Sequence, residues 1–141
     1  APQVNVPVRL FIVDATPMAE EEPELEGFKR IFINPHIVES EGEVISLNEG
    51  CLSLPGIRED VKRIDKLKLE YYDENWEFKS EWLTGWKARV IQHEYDHLDG
   101  ILFTDRIPPI RKRLLKSKLV AVSKGIFDAE YKTKIVKAKR S

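Results

Sequence analysis

Cysteine, histidine and long apolar runs are all scarce in this chain of 141 residues. It holds one cysteine and three histidines, which excludes an internal disulfide and any metal centre built from several of its own cysteines. A single thiol is typical of a reducing compartment. No apolar run approaches the roughly 18 residues of a membrane span, and no signal peptide is recognisable. We therefore expect neither a disulfide scaffold nor a membrane protein.

What the composition does contain is typical of a globular chain. Hydrophobic residues make up 42% and charged residues 33% of the sequence, and this length suffices for one buried core. The sequence shows no internal repeat and no linker between two halves. We expect a single domain over residues 1–141 that works as a monomer.

The charge is distributed unevenly along the chain. From Arg111 onward 11 Lys and Arg stand against 2 Asp and Glu, a net of +9, whereas residues 1–110 hold 12 against 22, a net of -10; together they give -1. A basic tail behind an acidic body favours a negatively charged partner, with RNA as the first candidate. A solvated helix that only keeps the tail soluble explains the charges equally well.

Apolar periodicity predicts an α+β fold in which antiparallel strands surround a central helix. A C-terminal helix is predicted at residues 110–124 and an exposed loop without chemistry at 16–27. The strand at 29–40 is interrupted at Asn34-Pro35, which indicates an edge or a bulge. The predicted strands are residues 8–14, 29–40, 42–56 (strand and turn), 61–72, 76–78 (after a turn at 73–75) and 101–103.

The central helix carries the pattern H-E-x-x-H at residues 93–97. It is predicted to begin after Thr84 as N-cap and to end at Gly100. His93 and His97 are then i,i+4 neighbours that can bind one metal ion, and Glu94 can act as base on a water held there. Two surface histidines on an ordinary amphipathic helix would give the same pattern.

Cys51 is the natural third ligand, because its thiolate completes a Cys-His-His set and leaves a fourth position open. Its alternative is a small buried hydrophobe. His36 belongs to neither motif, and we interpret it as a plain strand histidine.

These residues resemble signature motifs of the peptide deformylase family. Glu49-Gly50-Cys51-Leu52-Ser53 is similar to the second motif, and residues 92–97 are similar to the third. Ala1-Pro2-Gln3-Val4 looks like the end of the first motif, without the N-terminal helix and the glycines that normally precede it. Three motifs in the family's order are more specific than any one alone. The match suggests a bacterial type with a C-terminal helix.

The resemblance implies a hydrolase that removes the formyl group from the N-terminal N-formylmethionine of new polypeptides in the bacterial cytoplasm or in an organelle. Cys51, His93 and His97 would hold one divalent ion, iron(II) in nature, with nickel, cobalt or zinc accepted. Glu94 would be the general base, and Gln3 and the Leu52 N–H would stabilise the oxyanion. Positions matching the substrate pocket are Leu47, Glu49, Gly50, Arg58, Trp86 and Val90.

Within that resemblance, Glu49 and Arg58 would form an ion pair at the pocket mouth, and peptide backbone would approach beside Gly50. The basic helix would dock on the ribosome through Arg111, Lys112, Arg113, Lys116, Lys118 and Lys124. Three alternatives stay open: an H-E-x-x-H metalloprotease, an RNA-binding protein with a structural metal, and a deformylase-like protein without activity.

Overall fold

The computed structural model describes residues 8–129, and within them one antiparallel sheet carries the site. Its strands lie in chain order: β1 (Leu10–Asp14), β2 (Lys29–Cys51), β3 (Leu54–Tyr72) and β4 (Phe78–Thr84). The helices are α1 (Gly85–Leu98), α2 (Pro109–Leu114) and α3 (Lys116–Ser123). The predicted α+β class is confirmed. None of the helices in residues 8–129 is both long and apolar enough to cross a membrane.

The hairpin of β2 and β3 is the largest unit of the sheet. Residues 29–51 form one strand of 23 residues, where the sequence predicted two segments, because Gly42 is absorbed as a bulge. Gly42 has a φ of +96°, a value that glycine adopts readily. The N–H of the next residue, Glu43, donates to Asp65 Oδ1 at 2.9 Å. The pairing register also shifts after Ile33, so the predicted interruption at Asn34-Pro35 is a bulge. The other interpretation, that this is an edge strand, is wrong because β2 pairs with β1 on one side and with β3 on the other.

Helix α1 packs against the sheet and builds the first core. Inward positions of β3 alternate as predicted, with Leu67, Leu69 and Tyr71 buried. They meet Ala88 and Ile91 of α1. Burial of each large apolar side chain contributes about 1.5–3 kcal/mol, so this packing fixes α1 against the sheet.

The two ends of α1 differ in how they are capped. Gly100, with φ +73°, follows the helix; its N–H donates to His97 O at 3.3 Å and the Ile101 N–H to Asp96 O at 2.9 Å, a Schellman motif. The predicted end is confirmed. Thr84 occupies the N-cap position, but its side chain makes no capping hydrogen bond.

A second core joins the start of β3 to the C-terminal helices. Leu54, Ile57 and Val61 pack there with Phe103, Ile107 and Leu115. The predicted strand at 101–103 is wrong, because Phe103–Asp105 forms a 3₁₀ turn. The Leu102 N–H donates to Asp105 Oδ2 at 3.0 Å, and this side-chain acceptor closes the turn in place of a strand partner.

The predicted single helix at 110–124 is also wrong in one respect. It divides into α2 and α3 at Leu115, which keeps right-handed backbone angles (φ -86°, ψ -4°), and this break accompanies burial of Leu115 in the second core. Leu119 and Val122 pack against that core as well, whereas Leu114 is 66% exposed. Tertiary packing thus overrides the local helical pattern.

Candidate metal centre and substrate pocket

Cys51 lies at the closed end of the β2–β3 hairpin. A two-residue turn, Leu52-Ser53, separates it from Leu54, with which it pairs. The register shifts between Gly50 and Cys51, and a bulge of this kind re-aims the side chain that follows it. The thiol is thereby directed toward α1.

The thiol meets both histidines of α1. Cys51 Sγ lies 3.3 Å from His97 Nε2, and one ligand atom from each of Cys51, His93 and His97 lies within 4.8 Å of the others. Two ligands of a tetrahedral ion stand roughly 3.3–3.7 Å apart, given metal–ligand bonds of about 2.0–2.3 Å. One thiolate and two imidazoles at this spacing fit a divalent transition metal ion, as the sequence predicted.

Glu49 fixes the orientation of His93. Its Oε1 lies 2.9 Å from Nδ1 of His93, so this carboxylate accepts the Nδ1 proton and leaves Nε2 for a metal. The ring of His93 also stacks on Phe103 at 6.2 Å between centroids. A ligand held by a carboxylate and an aromatic ring keeps its position before any ion binds.

The hydrogen bonds among these groups change their proton affinities. Burial disfavours ionised Glu49, but hydrogen bonds from His93 and Arg63 outweigh it and lower its pKa to about 2. Burial likewise opposes the Cys51 thiolate, but hydrogen bonds from the two histidines lower its pKa to about 6. Burial acts to lower the pKa of His93, yet hydrogen bonds to Cys51 and Glu49 raise it to about 9. Without an ion these shifts favour a Cys51 thiolate beside a protonated His93, and a metal ion would displace the His93 proton as it binds.

A buried chain of alternating charges supports this arrangement. Arg63 donates to Glu49 through Nε at 2.7 Å and Nη2 at 2.9 Å, and through Nη1 to Asp96 Oδ2 at 2.7 Å. Arg89 Nη1 donates to Glu49 Oε2 at 2.6 Å. Arg106 donates two hydrogen bonds, each 2.5 Å, to Asp96. The four side chains of Arg63, Glu49, Arg89 and Asp96 are at most 6% exposed, and such charges persist only when paired.

A pocket of about 420 Å³ opens beside the three ligands. Glu94 lines it together with His93 and Cys51. The other lining residues are Met18, Asn48, Glu49, Gly50, Leu52, Arg58, Trp86, Arg89 and Val90. Two carboxylates thus line the cavity beside the possible metal-binding set: Glu49, which is paired with arginines, and Glu94.

The sequence-predicted pocket residues are partly brought together here. Glu49, Gly50, Arg58, Trp86 and Val90 all line the pocket, whereas Leu47 is not in its described lining. Gln3 lies outside the described residues. His36 is exposed on β2 and takes no part in the site, as expected.

The predicted pair of Glu49 with Arg58 is wrong. Glu49 is buried and bound by Arg63 and Arg89, while Arg58 Nε donates to Asn48 Oδ1 at 2.8 Å. Glu49 precedes Gly50 on β2, and Gly50 pairs with Arg58; a Cβ at Gly50 would lie 2.7 Å from Arg58 Nη1. The guanidinium of Arg58 thus lies on the face of the hairpin toward which a side chain at position 50 would project.

Sequence reasoning missed Arg63, Arg89, Asp96 and Met18. For Arg89 a signal existed, since it stands four residues before His93 and shares its helix face. Arg63 occupies one of the alternating buried positions of β3. From the sequence alone, however, an arginine in a strand is expected to point into solvent, because its buried partners are distant in the chain. Met18 comes from the loop at 16–27, which the sequence predicted to carry no chemistry.

Comparison with known proteins identifies the family. The sequence profile of the polypeptide deformylases matches residues 1–113. The peptide deformylase of Christiangramia forsetii is 49% identical, over 100% of this chain and 76% of its own length. That of Flavobacterium johnsoniae is 48% identical, over 99% and 75%.

The chain belongs to the polypeptide deformylase family. Solved structures agree: the peptide deformylase of Plasmodium falciparum has a TM-score of 0.77 at 38% identity, covering 89% of this chain and 70% of that one. The Thermus thermophilus enzyme has a TM-score of 0.73 at 38% identity, covering 87% and 69%. As a deformylase, the chain is a hydrolase that removes the formyl group from N-formylmethionyl peptides. The alternative functions considered from the sequence are not favoured.

Proposed function

We propose that Cys51, His93 and His97 bind one divalent metal ion and that Glu94 is the general base of deformylation beside it. The observation that supports this most directly is the convergence of the three ligand atoms within 4.8 Å in a pocket that Glu94 also lines. When bound, a divalent ion acidifies the water it holds and so supplies hydroxide near neutral pH.

Glu94 moves the proton. It accepts the proton of the attacking water as the new C–O bond forms at the formyl carbon, and it returns that proton to the nitrogen as the C–N bond breaks. The products are formate and a peptide with a free amine, so the atoms balance without a further reactant. The carboxylate lines the same pocket as His93 and Cys51, so it is available both to the attacking water and to the amide nitrogen.

The negative charge that develops on the formyl oxygen needs hydrogen-bond donors. Leu52 lines the pocket immediately after Cys51, and we assign its backbone N–H to this role. The side chain of Gln3 is the second donor that the family resemblance implies. The methionine side chain of the substrate would then lie along α1 over Val90 and Trp86, with Glu49, Gly50 and Arg58 at the opposite wall. Leu47 is half-buried on β2, and we propose that it only supports this wall from behind.

The proposal also concerns which metal ion the protein binds in the cell. A ligand set with one thiolate and two imidazoles accepts iron, zinc, nickel or cobalt, and we propose iron(II), as the family resemblance implies. Iron(II) reacts with oxygen and thereby promotes oxidation of its thiolate ligand, whereas nickel(II) does not react readily with oxygen, so iron-loaded protein should lose activity in air faster than nickel-loaded protein. Metal analysis after anaerobic purification tests the identity directly.

Replacement of Glu94 by glutamine tests the catalytic assignment. Formate release from a short N-formylmethionyl peptide is measured anaerobically, with iron(II) or nickel loaded. Glu94→Gln should lower kcat by at least about 10²-fold while one metal per chain remains bound. Glu70→Gln, a change of the same kind on β3 outside the described pocket lining, should behave like the unmodified protein. Retained hydrolysis in Glu94→Gln would show that another group is the base.

The basic C-terminal part supports a second proposal, contact with the ribosome in a bacterial cytoplasm. Arg111 is bound by buried Glu59 through two nitrogens, at 2.8 and 3.1 Å, and Lys112 by Asp105 at 2.6 Å. These two charges are thus neutralised within the protein. In the C-terminal part of the described chain, residues 110–129, four further cations are exposed and form no ion pair with another described residue: Arg113, Lys116, Lys118 and Lys124.

We therefore narrow the docking residues to these four cations. RNA phosphates attract unpaired Lys and Arg, and the resulting affinity falls steeply with salt. Sedimentation of the protein with ribosomes at increasing salt measures this contact. The tail beyond residue 129 adds further basic residues but lies outside the described part of the chain.

A further inference from the structure

The acidic loop at residues 16–27 is folded against the site. It consists of two 3₁₀ turns, Thr16–Met18 and Pro23–Leu25. Leu25 is 0% exposed and packs in the first core with Ile91 of α1. A loop held by a fully buried leucine has a defined position, in contrast to the solvated loop that its glutamates predict.

Glu24 of this loop caps the helix that carries the metal ligands. Its Oε1 accepts the Trp86 N–H at 2.8 Å, while the Thr84 side chain makes no such bond. Gly85 permits the approach, because a Cβ there would lie only 2.9 Å from each carboxylate oxygen of Glu24. The carboxylate also suits the positive end of the helix dipole. The loop is therefore held on α1 by the hydrogen bond at Trp86, which lines the pocket, and it approaches α1 closely at Gly85.

Met18, from the first turn of the same loop, lines the pocket with Trp86 and Val90. Trp86 precedes His93 by seven residues, about 10 Å along the helix axis. A substrate whose formyl group lies at the ligands would thus extend its first side chain toward the end of the pocket where the loop meets α1. Met18 is 39% exposed, so its side chain is free to adjust to an occupant.

We propose that the loop at 16–27 is a specificity wall of the deformylase pocket, with Met18 contacting the first side chain of the substrate and Glu24 as the positioning residue. This inference rests on the proposed function of the same site. The unbranched, polarisable thioether of Met18 packs readily against another flexible apolar chain, which matches the methionine of an N-formylmethionyl peptide. Glu24 acts indirectly, by holding the loop on α1.

Truncation of Met18 tests the contact. Values of kcat and KM are measured for two peptides that differ only in the first residue, formylmethionine or formylphenylalanine. Met18→Ala should lower kcat/KM for the formylmethionyl peptide about tenfold, mainly through KM, and lower it less or raise it for the bulkier peptide. Met18→Leu keeps the volume and should retain the preference. Ile12→Ala truncates a side chain that is 58% exposed on β1 and should leave both values unchanged.

Substitution of Glu24 tests the positioning. Glu24→Ala should shift the ratio of the two kcat/KM values in the same direction as Met18→Ala, and Glu24→Gln, whose amide oxygen still accepts the Trp86 N–H, should largely restore it. Glu21→Ala removes a carboxylate of the same loop that accepts no hydrogen bond from the described residues of α1, and it serves as the control.

The outcomes separate the two proposals. An unchanged ratio in Met18→Ala, with the unmodified protein active, would overturn the specificity wall and leave the catalytic assignment intact. An equal loss on both peptides in Glu24→Ala would overturn its role in positioning Met18. Absence of formate release by the unmodified, metal-loaded protein from every peptide would overturn the proposed function and this inference with it.

Discussion

Nδ1 of His93 and Oε1 of Glu49 are 2.9 Å apart, and this one contact joins the proposed metal ligands to the buried charge chain. Glu49 receives Arg63 and Arg89 on its two oxygens as well. The imidazole is therefore oriented by a carboxylate that is itself held from two sides. Preorganisation of this kind lowers the cost of placing a ligand when the ion arrives.

Glu49→Gln should weaken metal binding by roughly 10–100-fold. The amide can still accept the His93 proton, but it lacks the charge that raises ligand basicity and pairs with the two arginines. Metal affinity is measured by competition with a chelator of known affinity. Glu59→Gln is the matched control, because Glu59 is also buried but binds Arg111 outside the described pocket lining. Equal affinities in the two variants would contradict the role of Glu49.

Asp96→Asn should lower the free energy of unfolding of the metal-free protein by about 3–5 kcal/mol. Asp96 is 4% exposed and accepts from Arg63 and Arg106, so its loss leaves buried cations without a counter-charge. Asp105→Asn, at a carboxylate whose side chain is 42% exposed, should cost at most about 1–2 kcal/mol. Urea unfolding with linear extrapolation compares the two. A similar loss in both variants would mean that burial of Asp96 adds nothing.

Neutralising two basic residues should weaken ribosome binding only when these residues do not already form ion pairs within the protein. Lys116→Gln with Lys118→Gln should reduce the magnitude of the salt slope of binding by roughly 1.4–1.8, since each phosphate contact contributes about 0.7–0.9. Arg111→Gln with Lys112→Gln removes the same charge from residues bound by Glu59 and Asp105, and it should change the slope little. Sedimentation over a series of salt concentrations gives both slopes. If replacement of Arg111 and Lys112 changed the salt slope more than replacement of Lys116 and Lys118, the restriction of the docking residues to the four unpaired cations would be wrong.

Local signals predicted much of the fold. The alternation in β3 and the glycine after α1 depend on neighbours a few residues apart, and both are confirmed. The joined strand at 29–51 and the division of the C-terminal helix at Leu115 were not predicted. In each case a distant partner decides: Asp65 accommodates the bulge beside Gly42, and Leu54 and Ile57 receive Leu115.

For the site, the sequence alone determined which residues are chemically able to bind the metal. One Cys and an H-E-x-x-H pattern leave few alternatives, because helical spacing places His93 and His97 on one face. What each charged side chain binds was decided only by the tertiary structure. Glu49 pairs with Arg63 and Arg89 instead of Arg58. The acidic loop brings Met18 to the pocket and Glu24 to the start of α1. The physical reason is that a charge or a thioether has no local preference strong enough to select a partner, so burial and the path of distant segments select it.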